Sequence, residues 1–123
     1  MISFTTFLLT LLALFNLSLS AHEDVFVPPV LYPRFNTVWI VGQYHNVTWD
    51  TDDAPVHISN KIGQVYLAAN YIIDMDHPLA TGFNILDGRV VIHVPKVTPG
   101  SHYSIVLMGD SGNYSPQFTI RSH

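Results

Sequence analysis

The sequence contains no cysteine, few charged residues and no basic run, and each absence excludes a class of protein. Without cysteine, the chain cannot form disulfides, use a thiol nucleophile, or build a zinc ribbon or an iron–sulfur cluster. Only 11% of the residues are charged, with five Lys and Arg against nine Asp and Glu. This balance argues against a nucleic-acid partner. A domain without disulfides must be held together by its apolar interior, which agrees with a hydrophobic content of 48%.

The N-terminal stretch is typical of a secretory signal peptide. Residues 4–19 are almost entirely apolar and are followed by small residues up to Ala21. Cleavage after Ser20 would leave residues 21–123 as one domain, and cleavage after Ala21 is the close alternative. The apolar run is shorter than the ~20 residues of a membrane-spanning helix. We therefore expect residues 1–20 to be removed and the mature protein to be secreted, without a membrane span.

The remaining chain shows short runs in which apolar residues recur at every second position. The clearest runs are residues 46–50, 64–70, 90–94, 103–107 and 118–121. Period two in runs rich in Val, Ile, Tyr and Phe indicates half-buried strands. Turn-forming residues separate the runs, and Trp49 is the largest single candidate for the core. The pattern predicts an all-β fold, an immunoglobulin-like antiparallel β-sandwich of about seven strands.

Two histidines flank the predicted turn at residues 95–100. If the strands on either side form a hairpin, His93 and His102 share the face that points away from the core, opposite or diagonal to each other. Two imidazoles could hold copper or zinc weakly. His22 would be a further copper candidate if cleavage follows Ala21, because it would then be the mature N-terminus. Two ligands make a poor site, so no metal cofactor is expected.

Two loops carry clusters of carboxylates. Asp50, Asp52 and Asp53 lie in one loop, and Asp74 and Asp76 lie in another. Calcium takes six to eight oxygen ligands, which neither cluster supplies alone. The clusters are interpreted as solvated loop acids unless the two loops meet.

Two Asn-X-Ser/Thr sequons predict N-glycosylation, at Asn46 and at Asn113. Strand alternation places Asn46 opposite in direction to Val47 and Trp49, and so toward solvent. Asn113 lies in a predicted turn, and Pro116 directly follows its sequon.

Several aromatic residues fall partly off the predicted core faces: Tyr32, Phe35, Tyr44, Tyr66, Tyr71 and Tyr114. Flat aromatic rings can stack on sugar rings as they do on other ligands. Tyr44, Tyr66, Tyr71 and Tyr114 are the candidates for carbohydrate binding. The alternative interpretation is that most of these rings complete the core or cover strand ends.

The order and spacing of several short motifs resemble a family of secreted fungal domains. The motifs are Pro33, Trp39, Gly42, Val47-x-Trp49, Leu67, Val94-Pro95, Pro99-Gly100, Tyr103, Ile105, Asn113-Tyr114-Ser115 and Phe118-Thr119-Ile120. Together they resemble the N-terminal domain of Ser/Thr-rich, GPI-anchored fungal cell-wall proteins, related to proteins implicated in yeast β-1,6-glucan synthesis. The region of residues 77–83, with residues 109–113, is similar to small single-domain secreted members.

The resemblance implies a non-catalytic protein of the fungal cell wall or extracellular matrix, with β-glucan as the expected partner. No catalytic residues are established for the family, so none are carried over and no enzyme activity is expected. Two features depart from the family's pattern, since residues 21–123 contain no Ser/Thr-rich stalk and no apolar GPI signal, and covalent anchoring is therefore not among the expectations. Two alternatives remain: a copper-dependent accessory protein acting on polysaccharide, and a secreted effector that binds a partner protein through a sheet edge.

Overall fold

A computed structural model describes residues 24–123 of the chain. The predicted signal peptide, residues 1–20, and the copper candidate His22 lie outside the described residues. Ten strands follow one another: β1 Val30–Tyr32, β2 Val38–Ile40, β3 Tyr44–Trp49, β4 Ile62–Ala69, β5 Ile72–Ile73, β6 Ala80–Asn84, β7 Arg89–His93, β8 Gly100–Met108, β9 Gly112–Tyr114 and β10 Phe118–Arg121. A single turn of 3-10 helix, Ile85–Asp87, separates β6 from β7.

The strands form two sheets that pack into a sandwich, which confirms the predicted fold class. The smaller sheet has the order β1-β3-β7. The larger sheet has the order β2-β10-β8-β4-β5, with β6 added beside β4 and β9 beside β8. All pairings are antiparallel except that of β10 with β2. The strands β3 and β7 of the smaller sheet correspond to strands B and E of an immunoglobulin fold. The strands β4, β8 and β10 of the larger sheet correspond to strands C, F and G.

Alternating side chains of the central strands fill the space between the sheets. Val47 and Trp49 of β3 are buried, and their neighbours on the strand are not. In β8, Ile105 and Leu107 belong to the same core cluster. The indole Nε1 of Trp49 donates a 2.7 Å hydrogen bond to the carbonyl of Ile85. The large ring is thus buried without an unpaired donor, and Trp49 takes the core position that alternation predicts.

Tyr103 ties the start of β8 to the connection that precedes it. Its ring is buried in the core, and its hydroxyl donates to the backbone carbonyl of Thr98, five residues upstream. Burial raises the pKa of this phenol above its ordinary value. This geometry matches the tyrosine corner, in which a tyrosine near the start of strand F bonds back to the upstream backbone. The corner stabilises the segment that carries the chain from one sheet to the other.

The segments at residues 90–94 and 103–107 do not form the expected hairpin. β7 pairs with β3 in the smaller sheet, whereas β8 pairs with β4, β9 and β10 in the larger sheet. Residues 95–99 therefore cross from one sheet to the other instead of reversing the chain within one sheet. Ile92 and Tyr103 still face the same core, but they approach it from opposite sides.

Within residues 24–123, no helix has the length and apolar character needed to cross a membrane.

Candidate functional site

A row of side chains on the outer side of the larger sheet brings two of the predicted tyrosines together. Tyr66 of β4 is paired with Val106 of β8, and Val106 is paired in turn with Tyr114 of β9. Paired residues of neighbouring strands point to the same side of a sheet. Because Val106 alternates with the core residues Ile105 and Leu107, this row faces away from the core. Val106 is nevertheless fully buried, since a tyrosine flanks it on each side.

The turn between β4 and β5 adds a third tyrosine to this surface. Asn70 and Tyr71 form the turn, and both have positive φ angles, 50° and 65°. The Tyr71 and Tyr114 rings meet edge to face with their centroids 5.7 Å apart. The Tyr114 hydroxyl donates a 3.2 Å hydrogen bond to the Tyr71 carbonyl. The two-residue turn between the antiparallel strands β4 and β5 requires positive φ at both positions, and the contacts with Tyr114 fix where Tyr71 lies.

We call Tyr66, Tyr71 and Tyr114 the tyrosine face. Tyr71 is 59% exposed and Tyr114 is 38% exposed, so both rings remain available to a ligand. A left-handed backbone conformation costs a residue other than glycine about 1–2 kcal/mol. Strained residues are concentrated at functional sites, and here the strained residue carries an exposed aromatic ring. The Tyr71 and Tyr114 rings are inclined by 71°, so each can stack on a different sugar ring or apolar group while the phenolic hydroxyls face polar groups.

Tyr44, the fourth candidate for carbohydrate binding, lies on the opposite side of the molecule. It belongs to β3 in the smaller sheet, where it is paired with His93 and is 70% exposed. Its ring and the His93 ring have centroids 4.8 Å apart. Since the outer sides of the two sheets face in opposite directions, Tyr44 cannot join the tyrosine face in contacting one flat ligand.

The predicted cross-strand pair of His93 and His102 is wrong. His93 lies in β7 of the smaller sheet, and His102 lies in β8 of the larger sheet, where its ring stacks on that of Tyr103. Separate sheets place the two imidazoles on opposite outer sides, so they cannot share a metal ion. Among the described residues, no three His, Asp or Glu side chains come together as a metal site.

The loop carboxylates cap their own turns. An Asp50 side-chain oxygen accepts the backbone N–H of Asp52 at 2.8 Å, and an Asp74 oxygen accepts that of Asp76 at 3.3 Å. Asp74 also lies 3.1 Å from Nδ1 of His77. Asp and Asn side chains commonly stabilise loops in this way. Each loop thus uses its carboxylate locally, and the structure does not assemble them into a calcium cage within the described chain.

The two sequons have different surroundings. Asn46 is exposed on the outer side of the smaller sheet, as strand alternation predicts. Asn113 is partly buried, and it is paired with the core residue Leu107. Its side-chain Nδ2, the atom to which a glycan would be joined, donates a 2.6 Å hydrogen bond to the Pro28 carbonyl. The geometry favours attachment at Asn46.

We expect a glycan at Asn46 and none at Asn113 when the chain passes through a eukaryotic secretory pathway. The Asn46 amide projects into solvent, whereas the Asn113 amide is engaged by the chain itself. Intact-mass measurement should show that Asn46→Gln loses the mass removed by a glycosidase, and that Asn113→Gln does not. The opposite result for either variant would contradict this assignment.

His45, which belongs to no predicted site, lies in a partly buried polar network. The His45 ring stacks on that of Trp39, with centroids 4.8 Å apart. Its Nδ1 is 3.4 Å from the Tyr32 hydroxyl, and its Nε2 is 2.9 Å from Oε1 of Gln43. Trp39 Nε1 donates to the same Tyr32 hydroxyl at 3.0 Å. A neutral imidazole protonated at Nε2 satisfies every contact, because Nε2 then donates to Gln43 and Nδ1 accepts from Tyr32.

The fold should lose stability in mildly acidic solution through His45. Burial lowers the pKa of His45 below its ordinary value of 6.5. The folded chain therefore takes up this proton less readily than the unfolded chain. Neutral His45 therefore contributes to the free energy of unfolding in full above about pH 6.5, and this contribution is lost as pH falls through the lowered pKa of His45 in the folded chain. Urea unfolding at pH 7.5 and pH 5 should show a larger fall in the free energy of unfolding for the parent chain than for His45→Gln. Equal falls would contradict the prediction.

The sequence contains signals for both His45 and the turn at Asn70. His45 precedes Val47 and Trp49 at the same alternation, which places it on the inward side of β3. Asn70 lies between two apolar runs, and asparagine is one of the residues that most readily takes a positive φ in a two-residue hairpin turn. The turn that presents Tyr71 is therefore visible in the sequence as Asn70-Tyr71.

Comparison of the chain with known protein families, with curated protein sequences and with solved structures gave no match.

Proposed function

We propose that this is a non-catalytic secreted protein of the fungal cell wall or extracellular matrix, and that it binds β-glucan through the tyrosine face. The observation that carries the proposal is the pair of exposed tyrosine rings, Tyr71 and Tyr114, that contact each other at the outer side of the larger sheet. The resemblance to fungal cell-wall domains and the predicted signal peptide support an extracellular polysaccharide as the ligand. The proposal requires no reacting group, since stacking and hydrogen bonding are sufficient for adhesion.

Sugar rings suit this surface for a physical reason. The faces of a pyranose ring carry C–H groups that pack on an aromatic ring, while its hydroxyls are directed to the rim. Tyrosine supplies both an apolar ring and a hydroxyl that can form hydrogen bonds. Three tyrosines on one side of one sheet can contact successive residues of an extended polymer. Few side chains need to be immobilised on binding, because the Tyr71 and Tyr114 rings already contact each other.

Tyr71→Gly should weaken retention on insoluble β-glucan by about fivefold, because an aromatic contact is worth about 1 kcal/mol. The same change should alter the free energy of unfolding by no more than about 1 kcal/mol. Glycine adopts a positive φ freely, so relief of about 1–2 kcal/mol of backbone strain offsets the lost contact with Tyr114. Sedimentation with β-glucan and with chitin, together with urea unfolding, measures the two quantities separately.

Tyr44→Ala is the matched control, since it removes another exposed tyrosine, from the opposite side of the molecule. Retention of this variant should equal that of the parent chain. Equal weakening in Tyr71→Gly and Tyr44→Ala would show that the tyrosine face is not the contact surface. No retention of the parent chain on either polymer would overturn the proposed function.

A second candidate function, binding of a partner protein by strand addition, is favoured by the edge of β7. Among residues 24–123, this strand pairs with β3 and has no strand on its other side. Two backbone hydrogen bonds show which residues of this region face β3. Trp49 N–H donates to the Gly88 carbonyl, and Val94 N–H donates to the Gln43 carbonyl. The backbone groups of Val90 and Ile92 therefore point toward β3, and those of Val91 point outward. An outward row of donors and acceptors is a template for an added strand. Binding to a protein with no retention on glucan or chitin would favour this candidate.

A further inference from the structure

A cleft opens at the end of the sandwich, on the inner side of the larger sheet. Two adjoining cavities of about 440 and 390 Å³ share four lining residues: Leu67, Asp74, Lys96 and Val97. One wall is the connection between β5 and β6, and the other is residues 95–98, which cross between the sheets. None of the residues of the tyrosine face lines either cavity, so the cleft is a separate site.

The floor of the cleft is continuous with the hydrophobic core. Leu67 and Tyr103 belong to the buried core, and Leu79 and Val97 are partly buried against it. Pro78, Pro95 and Ile72 extend the apolar lining. A concave apolar surface of a few hundred Å³ with a small number of polar groups is the usual form of a small-ligand site. An apolar ligand body would gain the free energy of leaving water by packing on this floor.

The charged groups at the cleft are unequally satisfied. Asp74 accepts the backbone N–H of Asp76 and lies within 3.2 Å of the His77 ring nitrogen through both carboxylate oxygens. Within the described part of the chain, Lys96 takes part in no ion pair. The ammonium group thus has three donors free, whereas the carboxylate already has partners. Asp74 keeps its negative charge, so what the cleft lacks is an acceptor for the Lys96 ammonium group, and a ligand carboxylate would supply one.

We propose that the cleft binds an amphipathic carboxylic acid, with its alkyl chain on Leu67, Leu79 and Val97 and its carboxylate on Lys96. The apolar floor selects the chain, and a charge-assisted hydrogen bond selects an anionic head group over a neutral or cationic one. Each cavity alone is large enough for an alkyl chain of medium length.

The test uses decanoate and decyltrimethylammonium below their micelle concentrations, and decan-1-ol below its solubility limit, titrated into the purified chain by calorimetry. Decanoate should bind at least tenfold more tightly than decan-1-ol, and decyltrimethylammonium should bind least. Lys96→Gln should reduce the affinity for decanoate to that for decan-1-ol. Lys61→Gln is the matched control, because Lys61 is exposed and does not line the cleft. The affinity of this variant for decanoate should equal that of the parent chain.

Ile72→Asp provides a second variant that does not depend on Lys96. Ile72 lines the cleft and is largely exposed, so the substitution adds a carboxylate without disturbing the core. It should weaken decanoate binding at least fivefold. Three results would overturn the proposal. They are equal affinities for decanoate and decan-1-ol, tighter binding of decyltrimethylammonium than of decanoate, and equal losses of decanoate affinity in Lys96→Gln and Lys61→Gln. Melting curves of each variant identify any loss that comes from unfolding.

Discussion

Trp49→Ala is expected to lower the free energy of unfolding by about 3–5 kcal/mol. The indole ring is 3% exposed and lies between the sheets, where its ring centroid is 5.4 Å from that of Phe83. Alanine would leave a cavity and remove the donor that satisfies the Ile85 carbonyl. A small domain has only about 5–15 kcal/mol of stability, so much of it would be lost.

Urea unfolding followed by circular dichroism measures this loss, with Tyr44→Ala as the control. Tyr44 is an aromatic residue on the same strand, but it points into solvent, so its removal should cost about 0.5 kcal/mol or less. A cost below about 1 kcal/mol for Trp49→Ala would contradict the position of this ring at the centre of the sandwich.

Tyr103→Phe should lower the free energy of unfolding by about 1–2 kcal/mol. The substitution keeps the buried ring and removes only the hydroxyl that donates to the Thr98 carbonyl. That carbonyl lies in the connection that crosses between the sheets, and a carbonyl left without its partner carries the cost of desolvation. The crossing segment would also lose its attachment to β8.

Tyr114→Phe is the matched control for Tyr103→Phe. It too removes one phenolic hydroxyl that donates to a backbone carbonyl, but the Tyr114 bond is exposed to solvent. Water can replace the lost partner at that position, so the expected cost is below about 0.5 kcal/mol. Equal costs for the two variants, measured by urea unfolding, would show that Tyr103 does not act as a tyrosine corner.

Strand positions and faces could be predicted from the sequence because alternation is a local property. The inward direction of Val47 and Trp49 and the outward direction of Asn46 follow from period two alone, and the structure has both. The sandwich class also follows, since short strands separated by turn residues have few other ways to bury one face.

Strand partners could not be predicted in the same way. Residues 95–100 contain the prolines and glycine of a turn, and such residues indicate that the chain changes direction, not which strands pair. β7 pairs with β3, whose residues lie more than 40 positions earlier in the chain. Pairing at that distance depends on how all the strands share the core. No residue near His93 or His102 in the sequence could therefore show that the hairpin was wrong.

The same limit applies to the tyrosines. Alternation places Tyr44 and Tyr66 on the outer sides of their strands, and both expectations hold for the strands taken singly. Whether two such residues meet depends on the sheet that each strand joins, and β3 and β4 join different sheets. Tyr71 and Tyr114 meet only because the Asn70-Tyr71 turn brings β5 back beside β4 while β9 folds onto β8.

The opposed directions of the two outer surfaces have a consequence for the proposed adhesion to a polysaccharide. A molecule that adheres through Tyr71 and Tyr114 would present its smaller sheet, with Asn46 and the edge of β7, to the surrounding medium. Every adsorbed copy would then share one orientation. Under that proposal, the groups that face the medium would be the Asn46 side chain, with any glycan it carries, and the outward backbone groups of β7 in the described part of the chain.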